Sequence, residues 1–154
     1  MADQSEPDAE EQFSALLEGL RATLPGVEVL FAFLLVLPFQ NGFSKLDVFE
    51  KRLYAVAFGA AGIALVLLIA PSVHQRVRAP FTGVPRRSVR HVKVGAYLGL
   101  AGSVAASVAL ATSAWLAVSV VYGNGLAVVF ALVLALLVAW SWFWIPLVSF
   151  RDNR

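Results

Sequence analysis

Four long apolar runs, at residues 24–39, 54–73, 94–122 and 126–150, constrain this chain more than any other feature. A helix that crosses about 30 Å of hydrocarbon needs roughly 17 to 25 predominantly apolar residues. The last three runs meet that length outright, and the first borrows turns from the segment before it. With 59% hydrophobic and 14% charged residues and a mean hydropathy of +0.76, the 154-residue chain exposes more apolar surface than a soluble domain of its size can bury. A transmembrane β-barrel would show stretches of about ten residues in strict alternation, and these runs are continuous. The expected fold class is all-α: an integral membrane four-helix bundle made of two antiparallel hairpins, preceded by a short amphipathic helix.

The gaps between the runs assign orientation. Arg76, Arg78, Arg86, Arg87, Arg90 and Lys93 lie between the second and third, and Arg21, Arg151 and Arg154 fall on the same side. The other side holds Lys45, Lys51 and Arg52. Short loops rich in Lys and Arg stay cytoplasmic, so both termini of this multi-pass chain are expected on the cytoplasmic side. The N-terminus carries Asp3, Glu6, Asp8, Glu10 and Glu11, the wrong charge for the start of a cleaved signal peptide. The first span is therefore expected to be retained.

Along the chain, residues 1–10 read as a disordered acidic tail ahead of a transmembrane domain over residues 11–154. Phe13, Leu16, Leu17, Leu20 and Leu24 recur at helical spacing with Ser14, Glu18 and Arg21 opposite, the pattern of an amphipathic surface helix. Pro25 cannot donate to the carbonyl of Arg21 and Gly26 follows it, so a kink or joint is expected there. Pro38 closes the span and residues 40–43 make a turn. Ser44 followed by Asp47 reads as a loose capping box that starts the second helix. That helix should bend or end at Pro71. Pro80, Thr82, Gly83 and Pro85 argue against regular structure in the middle of the basic segment. Gly123, Asn124 and Gly125 form a tight turn between the last two helices.

Small residues recur every fourth position: Gly95, Gly99, Ser103, Ser107 and Ala111 on the third span, and Ala127, Ala131, Ala135 and Ala139 on the fourth. In lipid, helices associate through close backbone approach, which small residues permit. These two faces are expected to meet each other or a second subunit, and Gly59 and Gly62 offer another close-approach surface. Trp140, Trp142 and Trp144 at one end, with Tyr54, Trp115 and Tyr122 toward the other, fit interfacial aromatic belts.

Glu28 is the candidate intramembrane polar site, with Arg21 on the same helix and His74, Arg76 and Lys93 at its level. An unpaired carboxylate there costs up to about 3 kcal/mol, so it must be protonated, hydrated or paired. Arg76, Arg78, Arg86, Arg87, Arg90 and Lys93 form the basic cluster expected to meet anionic lipid headgroups, and Ser88 within it is a candidate phosphoacceptor. His74 and His91 lack ligand-spaced partners, so no metal is expected. Zero cysteines removes disulfide and thiol chemistry.

The stretch GVEVLFAFLLVLPFQNGFSKLDVFEKRLY (residues 26–54), followed by LLIAP (residues 67–71) with His74 and Arg76 close behind, resembles a family of small bacterial, chiefly actinobacterial, integral membrane proteins known as a domain of unknown function. The similarity covers about residues 12–148. It implies a four-helix protein of the cytoplasmic membrane with no assigned activity. The family pattern commonly has glutamine where this chain has Glu28, and a His-Arg pair where it has His74, Gln75 and Arg76. The resemblance thus implies the fold without a protonation mechanism.

No nucleophile, acid and metal-ligand constellation converges in the four spans. The expectation is a non-enzymatic protein without cofactor and without nucleic acid as partner, whose partners are the bilayer and, as a candidate, a second copy of itself. The alternative is a proton or small-cation pathway formed by oligomers around Glu28.

Overall fold

A computed structural model describes residues 5–82 and 89–144, with side chains described at 14–74, 76, 92–142 and 144. Four long apolar helices follow in order: α1 (Ser5–Val36), α2 (Val48–Thr82), α3 (Val89–Tyr122) and α4 (Asn124–Val138), the last running on into a π-helical turn, Ala139–Trp144. Short 3-10 turns at Leu37–Phe39 and Phe43–Lys45 link α1 to α2. The described residues contain no strand, and the class is the expected all-α four-helix bundle. Segments Ser14–Phe39, Val48–His74, Val92–Tyr122 and Asn124–Trp142 are each long and apolar enough to cross a membrane.

The prolines interrupt less than expected. α1 continues through Pro25, so the amphipathic helix and the first span are one helix, which also takes in residues 5–10. α2 passes Pro71 and Pro80 and ends at Thr82, while residues 83–88 lie outside the described set. A proline inside a helix removes one hydrogen bond, and the neighbouring turns keep their own. Pro71 is fully buried.

The start of α2 also differs in register. Asp47 rather than Ser44 is the cap: the Glu50 N–H donates to Asp47 Oδ1 (2.7 Å) and the Asp47 N–H donates to Glu50 Oε2 (2.9 Å). This is a reciprocal capping box with Glu at its third position. The Ser44 hydroxyl donates to the carbonyl of Asn41 instead. Between α3 and α4 a single residue suffices. Gly123 takes φ +82°, a backbone region that a side chain disfavours. Its N–H donates to the Ser119 carbonyl (3.0 Å), and its own carbonyl accepts from the Ala127 N–H (3.3 Å).

The chain divides into two compact units. The first comprises residues Met1–Phe33 and Ala61–Ala106, and the second Leu34–Ala60 and Ser107–Arg154. In the first, Val27, Ala64, Leu68 and Ala106 form the core, with Leu20, Leu24 and Leu65 against it. In the second, Trp115, Leu116 and Ala127 do so, with Leu37, Leu46, Leu53 and Tyr54 packed around them.

Each helix buries one seam, and its spacing alternates four and three. On α2 the seam is Ala57, Ala61, Ala64, Leu68 and Pro71; on α3 it is Gly95, Gly99, Gly102, Ala106 and Ala109. On α4 it runs Ala127, Ala131, Leu134 and Val138, the middle two half-buried. The small residues expected at fourth positions coincide with these seams at Gly95, Gly99, Ala127 and Ala131 and diverge from them further along. At 3.6 residues per turn, a four-residue step drifts about 40° around the helix. Ala135 and Ala139 have accordingly turned out to the exposed side, and Ser103, Ser107 and Ala111 are half-buried.

Candidate functional site

In the first unit the backbone is closely approached at Gly102, where an added Cβ would lie 2.8 Å from Leu68 Cγ and Cδ2. At Gly99 the nearest atom would be Leu20 Cδ2 at 3.2 Å, and at Gly62 a ring carbon of Phe31 at 3.4 Å. The α3 glycines thus meet α1 and α2. Gly102, the tightest of them, falls outside the fourth-position ladder; its signal in the sequence is the three-residue step from Gly99. Gly59 is open, with nothing within 4 Å of a Cβ.

Glu28, Arg21 and His74 are all exposed, and no hydrogen bond or ion pair among the described residues joins them. Glu28 stands eleven residues before Phe39, on the exposed surface of α1. Arg76 and Lys93 are exposed as well. The side chains of Arg78 and Arg90, and all of Arg86, Arg87 and Ser88, lie outside the described residues. Among the described residues, no three His, Asp or Glu come close enough to hold a metal ion.

Polar chemistry in the second unit gathers at the start of α2. Besides holding the cap, the half-buried Glu50 presents Oε1 to the hydroxyl of buried Ser119 at 3.5 Å, and that hydroxyl also donates to the Leu116 carbonyl (3.0 Å). One turn on, the Tyr54 hydroxyl donates to the Leu34 carbonyl at 3.0 Å. That carbonyl would have received the N–H of residue 38, which is proline. Tyr54 therefore supplies the missing donor. Its ring meets the edge of Phe43 at 5.0 Å and stacks on Phe58 at 6.0 Å.

Beside this cluster, α2, α3 and α4 enclose an open groove of about 340 Å³, lined by Phe49, Leu53, Thr112, Trp115, Ala131, Ala135 and their neighbours. Phe49 and Trp115 meet edge to face at 5.6 Å. The one hydroxyl in the lining, on Thr112, donates back to the carbonyls of Val108 (2.7 Å) and Ala109 (3.2 Å). It has no hydrogen left to offer. Ala131 and Ala135 both line the groove, and Ala131 also packs against the core of Trp115, Leu116 and Ala127.

A family model described as a family of unknown function (DUF6328) matches residues 3–146. Neither the curated proteins nor the solved structures provide a match.

Proposed function

The chain belongs to this family of unknown function, a membership that brings no activity with it, and from the residues themselves we propose a non-enzymatic, multi-pass protein of the bacterial cytoplasmic membrane. It works through helix packing and through contact of its basic segment with anionic lipid headgroups, with both termini in the cytoplasm. The observation that carries this reading is the pairing of four membrane-length helices with buried seams of Gly and Ala. Small residues spend a helix surface on backbone proximity rather than on chemistry. The exposed Arg76 and Lys93 support the lipid contact. The test is fractionation of bacterial membranes followed by analysis of co-purified lipid. The protein should stay in the membrane after alkaline carbonate, and neutralising Arg76, Arg78, Arg86, Arg87, Arg90 and Lys93 with Gln should deplete anionic lipid from it. Release by carbonate would refute the reading.

One observation favours a second reading. Glu28 is exposed within the first membrane-length segment, without a hydrogen bond or ion pair among the described residues. In an oligomer that carboxylate would be the titratable group of a proton or small-cation pathway. Flux into liposomes that is negligible and equal for wild type and Glu28→Gln would dismiss it.

A further inference from the structure

The groove in the second unit matches a ligand that the basic segment does not address. Its lining is almost wholly apolar, its one hydroxyl is already engaged, and its volume sits at the small end of ligand clefts. Along α4 it extends from Val128 to Ala135, about 10 Å of helix axis. Such a slot suits an alkyl chain, the indole N–H of Trp115 being the one polar hydrogen its lining leaves unengaged. Arg52 stands three residues after Phe49 on α2, hence beside it on one helix face. It is exposed and makes no ion pair among the described residues. The nearby carboxylates of Asp47 and Glu50 are occupied by each other's N–H. Three cations, Lys45, Lys51 and Arg52, outnumber these two acids at that end.

We propose that this groove binds one anionic phospholipid, an acyl chain lying between α2, α3 and α4 and the headgroup phosphate at Arg52. The proposal rests on the membrane reading above but concerns residues at the start of α2 rather than the basic segment. Charge complementarity at Arg52 selects a lipid over a further helix as the occupant. A guanidinium matches the phosphate fork, and the open, hydroxyl-free slot matches a flexible chain.

Trp115 reports on the groove directly. The chain has four tryptophans, so a Trp140→Phe, Trp142→Phe, Trp144→Phe variant leaves Trp115 as the only one. In phosphatidylcholine vesicles doped with brominated-chain phosphatidylglycerol, its fluorescence should be quenched more strongly than by brominated phosphatidylcholine at equal mole fraction. Arg52→Gln should remove that preference, about fivefold in relative affinity. This is the roughly 1 kcal/mol contributed by one basic residue near an anionic surface at 1.4 kcal/mol per tenfold. Ala135→Phe, at an exposed position, should fill the slot and reduce quenching by both lipids. Equal quenching by the two lipids, or a preference that survives Arg52→Gln, overturns the proposal, as does a Trp115 shielded from both, which would put a helix in the groove. Failure of the membrane reading looks different: no tryptophan of the unmodified protein would then be quenched by any brominated lipid.

Discussion

Tyr54 shows how one side chain repairs what another residue breaks. Pro38 turns the chain at the end of α1 but strands the Leu34 carbonyl, and the Tyr54 hydroxyl reaches it at 3.0 Å. In an apolar setting no water substitutes, so Tyr54→Phe should lower stability by about 1 to 3 kcal/mol, the cost of an unsatisfied buried acceptor. Denaturant unfolding in detergent micelles measures it. Pro38→Ala combined with Tyr54→Phe should recover part of that loss, because the backbone donor returns. The cap of α2 makes a second case. Asp47→Ala removes the acceptor of the Glu50 N–H and should cost about 1 kcal/mol, whereas Ser44→Ala should be nearly silent in the same unfolding measurement. Both interactions were hard to foresee from sequence. Ser44 and Asp47 have the spacing of a capping box, as do Asp47 and Glu50, and only the fold decides which pair closes. Nothing local links Pro38 to a tyrosine sixteen positions on.

At the level of the helices, hydropathy located four apolar segments because length and composition are one-dimensional properties. Their ends were less legible. Prolines in the sequence mark lost donors, yet Pro25 and Pro71 lie within continuous helices, since neighbouring turns keep their own bonds. Periodicity was half legible. Small residues were evident on α3 and α4, but counting by fours follows a line that winds around the helix, whereas the buried seam alternates four and three. Substitutions separate the two patterns. Gly102→Leu should strongly destabilise the protein, because even a methyl there lies 2.8 Å from Leu68 and overpacking costs typically 1 to 3 kcal/mol. Ala139→Leu, on the exposed side of the drifted ladder, should change stability by less than about 0.5 kcal/mol. Thermal unfolding in one detergent, run on both variants, checks the contrast; equal losses would restore the four-residue ladder. The candidate polar site fared differently again. Glu28, Arg21 and His74 suggested a cluster on level alone, and the structure leaves all three exposed.

For the molecule as a whole, the arrangement proposed above makes a topology prediction. Reporter fusions at the N-terminus, after Thr82 and at the C-terminus should all report the cytoplasm, and a fusion at Asn41 the opposite side, since positive loops are retained. A cytoplasmic signal at Asn41 would invert the hairpin and remove the basis for placing the basic segment. Buried surface is distributed unevenly: 11% of the α4 span is buried, against 28% of α3, and α4 joins α3 through one short connection. That connection is Gly123 alone. A tether one residue long has no slack to pay out, so tension applied at the C-terminus passes undiminished from the last helix to its predecessor. Drawn upward by a cantilever tip, the two should leave the bilayer as a single rip in the force trace, and lengthening the tether with a run of Gly and Ser should split that rip in two.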